Sequence, residues 1–511
     1  MPNKGEIVMT LVLLTAVFNG CTQGYDQSMM NNLNLVEQYT DYFHLDNNLL
    51  GLNVAMINAG SVVGGLFAGQ MCDRWGRKMG IAASAVITLV AVAIQASATK
   101  EAAFLVGRIL LGISVTVNGT AAPVWVMEMA HPKNRGFLGG MYMAIWYFAA
   151  IIVSCISLAT YRYQSTWAWR GLAIVSPINI KNPKAGVADF IKGQLVPSIF
   201  SLLLLPFMPE SPRWLLSKDR DEEAFNLLVM LHGNGDAGNA LVQAEFKEIR
   251  DTLHFERSAP NSFKALLFPK SNLHRFGIVI ALNIFDQITG SNIVSSYAGV
   301  VFDNAGITAT HTQMVVNIGI NVFSFFCALS GSFAIERLGR KAMLFGVSCL
   351  MVLLLVLICI LTALYGDGSN TAASYANLAM IYLFSGAYAF AFNPLTFVYP
   401  AEVLNYTQRA KGIAVGQMIC YAFGFLNQYT TPIAIDNIGW RYYAINAAWD
   451  VVICGIIWSW FVETKGLALE EVDEIFDGMI HTDGVHVGDG RNVLKLIDDV
   501  EVVGTIPVVK E

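Results

Sequence analysis

The chain has 511 residues, 55% of them hydrophobic and only 14% charged, with a formal net charge of −6. A soluble protein would carry about a quarter charged residues, so an ordinary soluble globular domain is excluded. The eight cysteines lie in or beside apolar runs, which speaks against a disulfide framework or a zinc site.

A membrane-crossing helix needs about 20 apolar residues. Runs of that kind fall at about 7–27, 51–71, 80–98, 102–125, 137–160, 195–208, 275–302, 313–334, 342–365, 376–399, 411–435 and 440–461. Twelve spans are therefore expected, in an all-α membrane protein. The first run follows Lys4 and Glu6 and lacks a small-residue cleavage site, so it reads as a retained span rather than a signal peptide. Two polar regions stand outside the spans, a central loop near 210–274 and a tail near 462–511. The patterning of Glu245-Phe246-Lys247-Glu248-Ile249-Arg250 predicts short amphipathic helices in the loop.

Loops after even-numbered spans carry Arg74, Arg77, Lys78, Lys133, Arg135, Arg337, Arg340, Lys341, Arg409 and Lys411, whereas 28–50, 303–312 and 366–375 hold no Lys or Arg. The positive-inside rule then places both termini in the cytoplasm. The sequon at Asn405 falls on that side, and the one at Asn118 lies within a span.

The charged loops repeat. Asp73-Arg74-Trp75-Gly76-Arg77-Lys78 returns as Glu336-Arg337-Leu338-Gly339-Arg340-Lys341. Glu128 precedes Arg135 by seven residues, as Glu402 precedes Arg409. Pro209-Glu210-Ser211-Pro212-Arg213 and Glu463-Thr464-Lys465-Gly466 close the two halves. Such duplication marks carriers built from two related halves. The expected division is 1–209, a cytoplasmic loop 210–274, a second half 275–461 and a tail 462–511.

One stretch breaks the symmetry. Glu128 to Glu210 is 82 residues, but Glu402 to Glu463 is 61, and the excess of 21 nearly matches the polar, proline-bearing segment 174–193. That segment leaves the sixth run short and puts Lys181, Lys184 and Lys192 on the side where cations are otherwise scarce. A translated intron or a misplaced exon boundary accounts for all three, with a genuine loop insertion as the alternative.

At these residues the chain resembles the sugar porter family of the major facilitator superfamily. The marks are Gly24-Tyr25-Asp26, the Asp73–Lys78 loop, Gly107-Arg108 with Gly112, Pro123 with Glu128 and Arg135-Gly136, and Trp169-Arg170. They continue with Pro209–Trp214, Gln287 with Gly290, Asn292 and Tyr297, and Glu463–Gly466. The wording of 24–31 and of Asn427-Gln428-Tyr429 looks most like the fungal lactose-permease and cellodextrin-transporter branch.

The resemblance implies the major facilitator fold, with twelve helices in two pseudo-symmetric halves. It implies a cytoplasmic gate of Asp73, Arg74, Arg77, Glu128, Arg135, Glu210, Arg213, Glu336, Arg337, Arg340, Glu402, Arg409 and Glu463, with Glu128 beside Arg135 and Glu402 beside Arg409 as matching partners; plain topogenic charge is the alternative. Asp26 and Arg108 fall inside spans, where charge is expensive and needs a partner or water. In the family that pairing marks proton symport, against a purely structural ion pair. Asp286, Gln287, Asn292 and Tyr297 form the expected core of the substrate site, since sugar hydroxyls need amides and carboxylates and an aromatic face for C–H groups.

Departures are visible. Asp286 stands where the family has Gln, Ser296 replaces one of its paired tyrosines, and Phe397, after Asn393-Pro394, occupies the place of its stacking Trp. Cys420-Tyr421 replaces its Asn-Trp, so Tyr421 joins the candidate site. The leading expectation is a monomeric, plasma-membrane, proton-coupled carrier of a disaccharide or hexose in the lipid bilayer. A facilitative polyol or quinate-type carrier and a sugar sensor are the alternatives. No nucleotide loop, metal cluster or catalytic triad is apparent, so neither an enzyme, a cofactor nor a nucleic-acid partner is expected.

Overall fold

The computed structural model describes residues 4–131, 135–160, 195–258, 270–304, 306–366, 370–404 and 406–467, with Val472, Ile475 and Phe476 beyond. Segment 174–193 and the tail from 477 onward lie outside the described residues, as do Trp169 and Arg170. Every regular element described is helical. The first group comprises α1 (Lys4–Leu33), α2 (Glu37–Phe43), α3 (Asn47–Trp75), α4 (Arg77–Ser97), α5 (Glu101–Met129), α6 (Arg135–Thr160) and α7 (Leu195–Leu204). Three short helices follow, α8 (Pro212–Ser217), α9 (Asp221–His232) and α10 (Ala240–Ser258). The second group runs α11 (Lys270–Ile288), α12 (Ser291–Ser296), α13 (Ala298–Asn304), α14 (Thr310–Leu338), α15 (Arg340–Tyr365), α16 (Thr371–Val403), α17 (Tyr406–Ile438) and α18 (Arg441–Trp460).

Among the described residues nine helices are long and apolar enough to cross a membrane, and the protein is an integral, multi-pass membrane protein. Backbone groups inside a bilayer must be satisfied within the chain, which is why the apolar runs fold as helices. α7 and the single 3₁₀ turn Leu205–Phe207 that follows it are too short to span, in keeping with the truncated sixth run. One expectation is corrected: the run 275–302 is not a continuous helix. It breaks between α11 and α12 at Gly290, whose φ of +78° is open to glycine and costly for other residues.

Within the first group α3 and α4 pack on α5, and α1 on α6. The second group repeats the scheme, with α14 and α15 on α16 and α15 on α18. The groups meet through α17 against α3 and α14 against α6. The central loop forms amphipathic helices as patterned. It is held to the bundle by His232, whose Nδ1 lies 2.7 Å from Glu245 and whose Nε2 lies 3.3 Å from the carbonyl oxygen of Met129, at the end of α5.

Candidate functional site

The repeated loops build two nearly identical carboxylate cradles at one end of the bundle. Gly76, at φ +97°, ends α3 and starts α4 within a single residue, so the first N–H groups of α4 point outward together. Glu210 fills that position: Oε1 accepts from the main-chain N–H of Arg77 at 2.9 Å and of Lys78 and Ser211 at 3.2 Å. A carboxylate is favoured at a helix N-terminus by unsatisfied donors and by the macrodipole. Burial nonetheless pushes the Glu210 carboxyl above the usual carboxylate range, against the pull of those three amides and the Arg77 charge. Arg77 turns its guanidinium to Glu128, with Nε–Oε2 at 3.2 Å and Nη2–Oε1 at 3.3 Å, and reaches Asp73 at 3.4 Å. Ser211 Oγ donates to Glu128 at 2.5 Å.

The second copy follows the same plan. Gly339 has φ +92°, and Glu463 Oε1 accepts from Arg340 N at 2.7 Å and from Thr464 N and Lys465 N at 3.1 Å. Arg340 grips Glu402 through Nε at 3.0 Å and Nη2 at 2.7 Å, and Thr464 Oγ1 donates to Glu402 at 2.6 Å. The structure therefore gathers Arg77, Glu128 and Glu210, and separately Arg340, Glu402 and Glu463. Asp73 is largely exposed, as are Arg74 and Arg337; Arg213 is half-buried. Arg409 donates to the carbonyl oxygen of Leu404, and Glu402 takes its planar guanidinium partner from Arg340, on the repeated loop. The side chains of Arg135 and Glu336 lie outside the described residues.

A second cluster forms midway along the bundle, where α11 breaks. Asp286 accepts from Tyr388 OH at 2.7 Å, Thr396 Oγ1 at 3.3 Å and Gln287 Nε2 at 2.9 Å. Asn292 Nδ2 donates to the carbonyl of Gln287 at 2.9 Å and to its side-chain oxygen at 3.0 Å, and Asn427 Nδ2 donates to the same carbonyl. Gln428 links this cluster to the other helix group, accepting from Asn58 Nδ2 at 2.7 Å and donating to Asn292 Oδ1 at 3.4 Å. Tyr297 is buried, with its hydroxyl on the carbonyl of Gln428. Tyr421, on α17, is half-buried. Asn393 is half-buried, whereas Phe397, one residue beyond Thr396, is 45% exposed and offers an open ring.

Asp26 and Arg108 are both fully buried and adjacent. The guanidinium donates from Nη1 to the main-chain oxygen of Asp26 at 3.3 Å and from Nε to that of Asn53 at 3.2 Å.

Toward the bundle end opposite the cradles, amides seal α1 and α6 against the second group. Asn31 Nδ2 donates to Asn317 Oδ1 at 3.1 Å, and its own Oδ1 accepts from Ala298 N at 3.0 Å. Asn317 Nδ2 reaches Asn32 Oδ1 at 3.2 Å and Ser154 Oγ at 3.1 Å, and Asn321 adds a bond to Ser154 at 3.2 Å.

Sequence reasoning missed several of these residues. Ser211 and Thr464 carry a legible signal, a hydroxyl directly after the acid in both copies. Tyr388, Asn58 and Asn317 have none, because their partners are distant in the chain, and the stretches that hold Asn31 and Gln428 stand out only by their wording, which does not reveal these contacts.

The profile of the family described as "Sugar (and other) transporter" matches residues 12–476. The high-affinity glucose transporter of Kluyveromyces lactis is 27% identical over 482 residues, covering 90% of this chain and 84% of its own. The arabinose-proton symporter of Escherichia coli strain K12 is 26% identical, covering 85% and 86%. Among solved structures, the proton:xylose symporter XylE bound to 6-bromo-6-deoxy-D-glucose superposes with a TM-score of 0.74 at 22% identity, over 92% of this chain and all of that one. The inward-open form of XylE from E. coli gives 0.72 at 21% identity, over 91% of this chain and 99% of that one. These likenesses establish the major facilitator fold.

Proposed function

We propose, for a chain that belongs to the sugar (and other) transporter family, that it moves a sugar across the membrane by alternating access, driven by proton entry. The observation that carries this reading is the cluster at the α11–α12 break. There a carboxylate and four amides, those of Gln287, Asn292, Asn427 and Gln428, converge between the two helix groups. Sugar hydroxyls donate and accept at once, and amides match both roles. Phe397 supplies an aromatic face one residue from the Asp286 ligand Thr396.

In this reading Asp26 carries the proton and Arg108 biases its charge. The two cradles are the cytoplasmic gate, holding each half together as a rigid unit. Both termini are cytoplasmic, the membrane is the plasma membrane, and the protein works as a monomer. The halves divide at 1–209 and 275–461, and the lactose-permease and cellodextrin subtype belongs to the proposal as well.

The test is uptake of a panel of labelled hexoses and disaccharides in a transporter-deficient host. At least one is expected to accumulate against its gradient, and Asp26→Asn is expected to abolish accumulation while retaining downhill exchange. Full accumulation in Asp26→Asn would sink the coupling assignment. Uptake of no sugar by well-expressed protein would sink the substrate class.

A further inference from the structure

The central loop holds a buried titratable pair apart from both the cradles and the sugar site. His232 closes α9, Glu245 lies on α10, and Met129 ends α5. The side chains of His232 and Glu245 are only 2% and 5% exposed. The imidazole meets an acceptor at each nitrogen: Nδ1 lies 2.7 Å from Glu245 Oε2, and Nε2 lies 3.3 Å from the carbonyl oxygen of Met129.

The number of protons decides whether both contacts can be made. A neutral imidazole has one N–H and one lone pair, an ionised carboxylate has lone pairs alone, and a carbonyl oxygen only accepts. With His232 neutral and Glu245 ionised, one contact would therefore set lone pair against lone pair. A proton on Nε2 would leave Nδ1 facing the carboxylate, and a proton on Nδ1 would leave Nε2 facing Met129. One further proton satisfies both contacts, whether it rests on Nδ1 or on Oε2. The site favours that proton in two ways. The Met129 carbonyl belongs to the last turn of a helix, where orphan acceptors and the macrodipole attract positive charge. An acceptor left unmatched out of water costs about 1–3 kcal/mol.

Other titratable groups surround the pair. Of the elements packed on α9, α10 presents Glu245, while its Lys247, Glu248, Arg250 and Asp251 are exposed. His131, just past α5, sets its ring edge-on to that of His232, with centroids 5.3 Å apart. α1 begins with Lys4 and Glu6, the latter exposed, and α8 brings Arg213. Apolar packing supplies the rest of the docking: Ala224 and Leu227 of α9 and Phe246 and Ile249 of α10 share one cluster with Val12 of α1 and Trp125 of α5. Loss of the proton would thus loosen the loop and leave the bundle folded.

We propose that this shared proton pins the central loop to the end of α5, so that α9 and α10 are held when the solution on their side of the membrane is acidic and loosen as it turns alkaline. Free imidazole and carboxyl groups, as in a loosened, solvated loop, titrate near about 6.5 and about 4.3. Above about pH 6.5 the docked loop then holds one proton more than the loosened one, and docking weakens by about tenfold for each pH unit. The test is hydrogen exchange of purified full-length protein, without sugar, from about pH 6 to about pH 8.5, which brackets the range where imidazole titrates. The readout is the protection of α9 and α10 after correction for the intrinsic pH dependence of exchange. Wild-type protection is expected to fall by about tenfold per pH unit above about 6.5. In Glu245→Gln the new amide donates to Nδ1 while the Nε2 proton serves Met129, so no extra proton is needed and protection is expected to stay level. A residue that merely packs would not produce that rescue. His232→Gln, which removes the titrating ring, is expected to be less protected and without slope, and it serves if the first variant does not fold. Wild-type protection that is level across the range, or a variant that falls as steeply as the wild type, would overturn the inference. Because the loop's response does not depend on what the protein carries, failure of the transport reading leaves this result untouched.

Discussion

Gly76→Ala is the sharpest probe of the cradles. At φ +97° the new residue occupies backbone space that only glycine enters freely, a strain of about 1–3 kcal/mol. Its methyl group would also stand against Glu210 Oε2, inside contact distance. The carboxylate must retreat and weaken its bonds to the N–H groups of Arg77, Lys78 and Ser211, of which even one is worth about 1 kcal/mol. The sum is about 3 kcal/mol, and at about 2 °C per kcal/mol for a chain this large the melting temperature should fall by about 6 °C. Gly339→Ala should act alike, since its methyl would meet Glu463 Oε2 at 2.7 Å. Gly69→Ala is the control, with nothing within 4 Å and an exposed helical position where alanine is the better residue. Thermal unfolding of the three purified variants decides the matter. Gly76→Ala and Gly339→Ala as stable as Gly69→Ala would refute the cradle geometry.

Arg340→Ala leaves Glu402 with Thr464 alone and should cost about 3 kcal/mol, as breaking a largely buried pair does. Transport should drop while equilibrium sugar binding persists, and an equal loss of both would count against a gating role. Asn58→Ala and Gln428→Ala should each destabilise the protein, with a coupling of about 1 kcal/mol between them in a double-mutant cycle; strictly additive effects would mean that their 2.7 Å bond carries nothing. For segment 174–193, transcript sequencing should find a message lacking most of its codons, and the shortened protein should transport better. A sole transcript that contains the segment, together with loss of surface expression on deletion, would establish a genuine loop.

The cradles were legible because each is assembled from short motifs whose order repeats. The spacing Gly-Arg-Lys fixes a helix start, and an acid near the close of each half returns to it. What stayed hidden was which atoms meet: Glu210 and Glu463 serve main-chain amides, while Glu128 and Glu402 take the guanidinium groups. Residue types announce charge but not direction. The seventh apolar run looked continuous because hydropathy does not register the backbone angle at Gly290. The Asn58–Gln428 bond joins residues 370 apart, so no local period could reveal it. Asp286 was visible as a departure from Gln, yet its ligand Tyr388 lies on another helix, in a run that reads as featureless apolar sequence.

The amide seal bears on how the membrane potential acts. Moving one elementary charge through 100 mV is worth about 2.3 kcal/mol. Asn31, Asn32, Asn317, Asn321 and Ser154 carry no formal charge, so parting them does no electrical work. Nor does a change of pH in the ordinary range charge amides. Among the described residues, voltage sensitivity can enter through buried ionisable groups of the spanning helices such as Asp26, Arg108, Arg275, Asp286 and Asp450. The seal itself works as an electrically silent door whose opening depends on hydrogen bonds and packing alone.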